Sequence, residues 1–289
     1  MKPTYEELLK ENEELKLALQ QEKDNVSVAL ARVVESKKEL DDSISYAERI
    51  QRAIMPPLDL VDTILPKSFI LYLPKDVVSG DFYFVEQYGD EIVFASVDCT
   101  GHGVPGALMS VVGFNYLHQA VTEKGITKPS EILSFLDAGV NERLRQTGGE
   151  SGVNDGMDLS LCTLNIKTKI LQYAGAYNPL YIISNNELLQ TKADKSPIGV
   201  NTDGVTDEYT NHSFQLKEGD CVYLFSDGYA DQFGGPKGKK MMYKRLRNLL
   251  LEVHQKPMNS QKDILHTAFT DWQKEEEQVD DVLLMGVRI

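Results

Sequence analysis

The chain begins with a long stretch that has no helix breaker in its interior. Residues 1 to about 54 contain no glycine and a single proline, Pro3, and are rich in Glu, Lys, Leu and Ala. This composition favours one uninterrupted helix. Pro56 and Pro57 end it, because proline lacks a backbone donor and disfavours helical geometry in the residue before it. The sequence therefore predicts an N-terminal helix, residues 1–54, followed by a separate domain, residues 55–289.

Apolar residues recur along this helix with a heptad period. One seam position takes Tyr5, Asn12, Leu19, Val26, Val33, Leu40, Ala47 and Ile54, and the other takes Leu8, Leu15, Glu22, Ala29, Ser36, Ser43 and Ile50. The first seam is mostly apolar and the second is interrupted. Unbroken length without an internal cap favours a coiled coil, and Asn12 at a seam position is typical of two strands, so we expect a homodimer. The alternative is a single solvated helix that packs on its own domain.

The charge and cysteine content exclude several classes of protein. Acidic residues outnumber basic ones by 44 to 30, which gives a net charge of −14 and no basic footprint for a nucleic acid. The three cysteines, Cys99, Cys162 and Cys221, lack the spacing of a zinc site or a disulfide framework. No apolar run reaches the ~18 residues of a membrane span, and the N-terminus is too charged for a signal peptide. We expect a cytoplasmic protein with no nucleic-acid partner and no membrane span.

The rest of the chain mixes strand and helix patterns. Apolar, β-branched runs occur at 68–74, 81–98, 159–190, 212–227 and 282–289, with helical patterns at 106–121, 129–145, 242–254 and 260–277. Tight turns at Gly89-Asp90 and Asn185-Asn186 predict antiparallel hairpins. The fold class is therefore α+β.

The segment VDCTGHGVPG, residues 97–106, matches the glycine pattern of a dinucleotide-binding loop. That fold needs a second parallel strand after the helix, but another helical pattern follows here. Asp98 would also oppose a pyrophosphate at the helix N-terminus. A cysteine-phosphatase loop would need an arginine six positions after Cys99, where Pro105 stands. We therefore expect the glycines to serve a sharp turn that lets Asp98 face a metal ion.

Acidic residues stand at the ends of several predicted strands. These residues are Asp81, Asp98, Asp227 and the pair Asp280-Asp281. Carboxylates gathered at one rim of a sheet suit Mg²⁺ or Mn²⁺, which prefer carboxylate and water oxygens. Two such ions about 3.5 to 4 Å apart would activate a water for attack on a phosphoryl group. The sequence thus predicts a metal centre for phosphoryl chemistry.

The motifs together resemble a known family. In order, they are ERIQRAIMPP, SGDFYFV, VDCTGHGVPGALMS, AGAYNPLY, SPIGV, FSDGYADQFGG and DDVLL. From about Ala53 to Ile289 the chain is similar to the metal-dependent serine/threonine protein phosphatases (PPM superfamily, protein phosphatase 2C-like), in the bacterial branch named for stage II sporulation protein E and RsbU. The resemblance implies two packed antiparallel sheets flanked by helices, with a binuclear Mn²⁺ or Mg²⁺ centre at one edge.

The resemblance also assigns roles to individual residues. Asp81 and Asp98 match the core metal acids, and Asp98 bridges the two ions, so both are expected to be essential for catalysis. Asp227 and Asp280 match the remaining acid ligands, and Asp281 is the alternative to Asp280. Cys99 matches a position whose backbone carbonyl contributes to metal binding. The implied substrate is phosphoserine or phosphothreonine on a signalling protein of the anti-sigma-factor-antagonist type.

Three residues and one rival function stay open at this point. His102 could be a general acid or a turn residue near the site. Asp158 and Asp231 could ligate a third ion or orient a water. The rival function is a catalytically silent phosphatase-like module that acts as a coiled-coil signalling adaptor.

Overall fold

The computed structural model describes residues 3–144, 155–199 and 208–289. The chain divides into two compact units, Met1–Tyr46 and Ala47–Ile289. The second unit includes the last turns of the N-terminal helix, together with the residues that the sequence assigns to the separate domain.

The N-terminal helix is continuous. It is α1, Tyr5–Ile54, which ends directly before Met55 and the two prolines. In the single chain, large apolar side chains of both heptad seams are exposed to solvent, among them Leu15, Leu19, Val26 and Val33. A long helix before the domain was predicted and is confirmed. None of the helices in the described residues combines the length and apolar character needed to cross a membrane.

The second unit contains two five-stranded sheets whose internal pairings are all antiparallel. The strands are β1 Ser68–Leu73, β2 Phe82–Tyr88, β3 Glu91–Cys99, β4 Met157–Asn165, β5 Ile170–Ala176, β6 Leu180–Ser184, β7 Glu187–Thr191, β8 His212–Gln215, β9 Cys221–Phe225, β10 Phe233–Gly234, β11 Lys239–Lys240 and β12 Val282–Arg288. One sheet has the order β1-β12-β9-β6-β7 and the other β2-β3-β4-β5-β8, while β10 and β11 form a small separate hairpin.

Helices cover the outer faces of the two sheets. The helices are α2 Leu58–Ile64, α3 Gly103–His118, α4 Pro129–Leu144, α5 Gly228–Asp231, α6 Tyr243–Val253 and α7 Met258–Gln273. Helices α3 and α4 pack on the β2-to-β8 sheet, and α6 and α7 pack on the β1-to-β7 sheet. Apolar side chains such as Phe94, Leu161, Val222 and Leu283 are buried in one core cluster that includes residues of both sheets. The predicted sandwich of antiparallel sheets flanked by helices is confirmed.

Both predicted hairpins are present. Gly89 and Asp90 connect β2 to β3, and Asn185 and Asn186 connect β6 to β7 with both asparagines at positive φ. The predicted helix at 129–145 is α4, and its last predicted residue, Arg145, lies outside the described residues. The sequence analysis missed α2, α5 and the β10-β11 hairpin, because elements of two to seven residues are too short for a hydrophobic period to show.

Candidate metal centre

The two sheets bring the predicted acids to one rim of the sandwich. Asp81 directly precedes β2, and Asp98 lies at the end of the neighbouring antiparallel strand β3. Asp227 follows β9 and Asp280 precedes β12, which is the antiparallel neighbour of β9. In an antiparallel pair, one strand begins at the edge where its neighbour ends. Asp81 and Asp98 therefore lie together at the edge of one sheet, and Asp227 and Asp280 at the edge of the other.

Asp158 joins this group through strand register. It pairs with Asp98 across β3 and β4, and both side chains are half-buried. The neighbouring residue Met157 packs against Gly113 of α3. Because side chains alternate between the faces of a strand, Asp158 lies on the face turned away from α3 and toward the other sheet. Asp98, its partner in the register, lies on the same face. Burial and the charge of Asp227 raise the pKa of Asp158 to about 6.

Asp81 is the most enclosed of the acids at this rim. Its side chain is buried, and its Oδ2 atom has no hydrogen-bond partner among the described residues. Burial and then the charge of Asp98 raise the pKa of Asp81 well above its usual range, and the nearby Ser226 offsets only part of this rise. A buried carboxylate oxygen without a donor is costly, so this position calls for a proton or a cation.

The same crowding of negative charge affects the acids from the other strands. The pKa of Asp98 is raised well above its usual range by burial and then by the charges of Asp227 and Asp280. Burial and the charge of Asp280 likewise raise the pKa of Asp227 to about 6. Each of these carboxylates raises the pKa of another by its charge, which shows that they lie close together, and a divalent cation would relieve the repulsion between them.

The two adjacent acids Asp280 and Asp281 have different surroundings. Asp281 is buried, and its two oxygens accept hydrogen bonds from the backbone amides of Lys75 and Gly80, each at 2.8 Å. Asp280 is half-buried, and its charge raises the pKa of Asp98 and Asp227. At Asp81 the charges of both acids raise the pKa, that of Asp281 more than that of Asp280. Asp281 therefore holds the loop that ends in Asp81, whereas Asp280 faces the other acids.

The glycine loop packs backbone on backbone beside Asp81. A Cβ atom at Gly80 would lie 2.5 Å from the carbonyl oxygen of Gly101 and 3.0 Å from that of Cys99. A Cβ at Gly106 would overlap the same Gly101 oxygen, and Gly101 itself has a φ of +84°. Only glycine allows this approach and this turn. The loop thus brings the carbonyl of Cys99 beside the Gly80-Asp81 segment.

Cys99 is not equipped to act as a nucleophile. Its thiol is buried, and burial followed by the charge of Asp98 raises its pKa well above the usual range. A nucleophilic cysteine needs a stabilised thiolate in an electropositive setting. The side chain is therefore a small buried group, and only its backbone carbonyl is available for a role at the site.

His102 and Asp231 each pair with another charged side chain. The Nδ1 atom of His102 lies 2.7 Å from Asp76 Oδ2, and both side chains are exposed. Asp231 forms an ion pair with Lys240 at 2.6 Å, and Lys240 lowers the pKa of the nearby Asp227. His102 therefore directly precedes α3 and has Asp76 as its partner, and both roles weighed from the sequence stay open for it.

Ser226 is a residue of this site that the sequence analysis missed. It is buried, its hydroxyl accepts a hydrogen bond from the Leu283 amide at 3.0 Å, and its amide donates to the Leu283 carbonyl at 2.9 Å. It also lies close enough to Asp81 to offset part of the rise in that acid's pKa. Ser226 therefore links β9 to β12 beside Asp81. Its position next to Asp227 in the motif FSDG was the available signal, but pairing across strands cannot be read from neighbouring letters.

The donor set fits divalent ions of the Mg²⁺ and Mn²⁺ class. Within the described residues, no three His, Cys, Asp or Glu side chains are already arranged to hold an ion by themselves. Magnesium is usually held by one or two carboxylates while waters complete its coordination, so such an arrangement is not required. The unpartnered Oδ2 atom of Asp81 and the all-oxygen character of the acids match this chemistry.

Two antiparallel sheets between helix layers, with acids at one rim, are the architecture of PPM-type protein phosphatases. Residues 88–289 match the family model described as Stage II sporulation protein E (SpoIIE). The phosphatase domain of SiaA from Pseudomonas aeruginosa is 31% identical, with a TM-score of 0.80 over 88% of this chain and 98% of that one. The chain therefore belongs to the SpoIIE family of phosphatase domains.

More distant structures share the fold. A structure of the phosphatase domain and a fragment of the regulatory domain of the cell fate determinant SpoIIE from Bacillus subtilis is 19% identical, with a TM-score of 0.61 over 77% of this chain and 63% of that one. The RsbU and RsbW domains of Rv1364c from Mycobacterium tuberculosis give 19% identity and a TM-score of 0.61 over 78% of this chain and 60% of that one. No curated protein sequence matches the chain significantly.

Proposed function

We propose that the chain is a metal-dependent protein phosphatase that hydrolyses phosphoserine or phosphothreonine on a signalling protein. The observation that carries this proposal is the buried, unpartnered Oδ2 atom of Asp81 among carboxylates with raised pKa values. Groups in such a state cluster at functional sites. Membership of a phosphatase family points to phosphoryl transfer as the chemistry.

In this proposal Asp81, Asp98, Asp227 and Asp280 hold two Mn²⁺ or Mg²⁺ ions, and the carbonyl of Cys99 completes the donor set. When bound, the ions lower the pKa of a water and offset the charge of a phosphoryl group. Asp98 is the candidate for the shared ligand, since its pKa responds to the charges of Asp227, Asp280 and Asp158. Asp158 is well placed to orient a water or to support a further ion, because it lies opposite Asp98 in the sheet.

The other chain groups position these acids. Asp281 and Ser226 fix the segment before Asp81 and the strand ends of the other sheet. Gly80 and Gly106 let the segment before Asp81 approach the glycine loop and the first turn of α3 closely. A preorganised ligand set of this kind reduces the rearrangement needed when the ions and a phosphate group bind.

By family resemblance, we propose that the substrate is a phosphorylated anti-sigma-factor antagonist or a similar small protein in the cytoplasm. The exposed apolar seams of α1 support a homodimer through this helix. The rival function, a silent adaptor, gives no reason for the acids at the rim to be present together.

A phosphoprotein assay tests the proposal. The 289-residue chain is incubated with such an antagonist carrying a labelled phosphoserine, in Mn²⁺ and in a parallel reaction with chelator. Release of inorganic phosphate only with Mn²⁺ is the expected result. Tight binding of the phosphoprotein without phosphate release, at any Mn²⁺ or Mg²⁺ concentration, would establish the adaptor instead.

A further inference from the structure

A single glutamine is buried in the last turns of α1. Gln51 is 4% exposed and is the one buried residue among the fifty residues of the helix Tyr5–Ile54, all of which are described. It lies within the compact unit Ala47–Ile289. A buried side-chain amide is costly unless its hydrogen bonds are made, so its partners show what it does.

Gln51 makes three hydrogen bonds to residues far away in the sequence. Its Nε2 atom donates to the carbonyl oxygen of Ser79 at 2.5 Å and to the hydroxyl of Ser110 at 2.8 Å. Its Oε1 atom accepts from the amide of Ser79 at 3.1 Å. Gln51 thus pairs with both backbone groups of Ser79, as a neighbouring strand would. This pairing requires a donor and an acceptor on one side chain, which an amide provides.

Ser79 begins the short segment that ends in Asp81. Within that segment, the hydroxyl of Ser79 accepts a hydrogen bond from the Asp81 amide at 3.1 Å. The amide of Gly80 donates to Asp281, and the carbonyl of Asp81 accepts from the hydroxyl of Tyr72 at 3.1 Å. Gln51 is therefore one of the groups that fix the backbone directly before the Asp81 carboxylate.

The second partner, Ser110, extends the connection to α3. Its hydroxyl donates to the carbonyl of Ala107 at 2.8 Å, in the helical turn that follows Gly106. Gly106 in turn packs on Gly80 and Gly101. One side chain of α1 thus contacts both structures that surround Asp81, namely the segment before it and the helix that follows the glycine loop.

We propose that Gln51 is a positioning residue, which sets the backbone of Ser79 and Gly80 so that the Asp81 carboxylate is placed to receive a divalent ion. The inference rests on the proposed function for the identity of that ion. Residues that orient metal ligands typically change affinity or activity by about 10- to 100-fold when they are replaced.

The test compares Gln51→Glu and Gln51→Met in the 289-residue chain. The first replaces a donor with an acceptor opposite the Ser79 carbonyl, and the second keeps the length without any polar group. Gln21→Glu and Gln21→Met are the matched controls, because Gln21 is exposed on the same helix. Mn²⁺ affinity is measured by calorimetry, and hydrogen exchange of residues 79–81 is followed in chelator.

We expect the Gln51 variants to bind Mn²⁺ about tenfold or more weakly and to exchange the amides of residues 79–81 faster than the Gln21 controls. Turnover of p-nitrophenyl phosphate should recover partly at high Mn²⁺, with little change in its KM. Folded Gln51 variants with wild-type Mn²⁺ affinity and wild-type exchange would overturn the inference. If these variants fail to fold, Ser110→Ala is used instead, because it removes only one of the three hydrogen bonds of Gln51. It should produce the same effects in weaker form. Wild-type Mn²⁺ affinity and exchange in the Ser110→Ala protein would count against the inference.

The exchange measurement separates this inference from the proposed function. A wild-type protein without turnover or Mn²⁺ binding would overturn the proposed phosphatase function. Faster exchange at residues 79–81 in the Gln51 variants would still show that Gln51 fixes that segment. Unchanged exchange beside a fully active wild-type enzyme would overturn the positioning role alone.

Discussion

At the scale of single residues, Asp280 and Asp281 show how neighbouring acids divide two tasks. Asp281 accepts hydrogen bonds from the amides of Lys75 and Gly80 and is buried. Asp280 is half-buried, and its charge adds to burial in raising the pKa of Asp98 and Asp227. Asp281 thus holds the loop that carries Asp81 and adds charge there, while Asp280 adds charge beside Asp98 and Asp227.

We predict opposite effects for substitutions at this pair. Asp281→Ala leaves two backbone donors without their acceptors and should lower the free energy of unfolding by at least about 2 kcal/mol. Asp280→Asn removes repulsion between carboxylates, so it should leave stability in chelator unchanged or raise it, while Mn²⁺ binding weakens. Urea unfolding and calorimetry measure the two quantities. A stable Asp281→Ala protein alongside an unstable Asp280→Asn protein would reverse our assignment.

Cys99 gives a second prediction at this scale. Because its thiol is buried and its pKa is raised, Cys99→Ser should keep substantial phosphatase turnover at saturating Mn²⁺. Initial rates with p-nitrophenyl phosphate check this expectation, with Cys162→Ser as a control at another buried cysteine. Complete loss of turnover in a folded Cys99→Ser protein that binds Mn²⁺ normally would favour a thiolate mechanism.

At the scale of elements, the centre depends on close packing between two loops. The segment before β2 contacts the loop between β3 and α3 and the first turn of α3, through Gly80, the carbonyl oxygen of Gly101 and Gly106. Neither Gly80 nor Gly106 has room for a Cβ atom at this contact. The glycine pattern that resembles a nucleotide-binding loop therefore serves the approach of two backbones, and Asp81 and Asp98 flank the contact.

Gly106→Ala should therefore be strongly destabilising. Its Cβ would overlap the Gly101 carbonyl oxygen and lie 2.8 Å from the Cα of Gly80, and overpacking of this kind costs about 1–3 kcal/mol. Thermal unfolding and Mn²⁺ affinity should both decline. Gly89→Asn is the control, because its hairpin turn is open and asparagine tolerates positive φ. Equal stability of the two variants would mean that the loops move apart freely.

Local patterns in the sequence predicted most of the elements. Strands with alternating or continuous apolar residues, the two hairpin turns and the end of α1 before Met55 depend on neighbouring residues and were found. The roles of Asp281, Ser226 and Gln51 were not predicted from the sequence. Each depends on a partner in another part of the chain, such as Gly80, Leu283 or Ser79, and only the folded sheets bring these partners together.

At the scale of the whole molecule, the acids at the rim come from both sheets of the sandwich. The family resemblance matched Asp81, Asp98, Asp227 and Asp280 from their motifs, and the sheets place them at one edge. The resemblance did not decide between Asp280 and Asp281 or define Asp158, because those answers need the strand register and the hydrogen bonds. The exposed seams of α1 add a separate question of assembly.

We predict that α1 mediates a dimer whose pairing affects the enzyme. Leucine at Glu22, Ser36 and Ser43 should tighten the dimer by completing the interrupted seam, and removal of residues 1–45 should give a monomer with altered turnover. Sedimentation at tens of micromolar, with rates on p-nitrophenyl phosphate, measures both effects. A monomeric 289-residue chain, or equal rates for the truncated and intact forms, would show that α1 does not regulate turnover through a dimer.

The most direct test of the metal centre is the Mn²⁺ dependence of p-nitrophenyl phosphate hydrolysis after the protein has been stripped with chelator. Wild-type protein should be inactive until Mn²⁺ or Mg²⁺ is added, and folded Asp98→Asn protein should lose most of the restored rate, because Asp98 faces Asp227, Asp280 and Asp158. The exposed acid Asp76, replaced by Asn, serves as the control and should respond like wild type. Full turnover by Asp98→Asn protein in metal-stripped buffer would contradict the account.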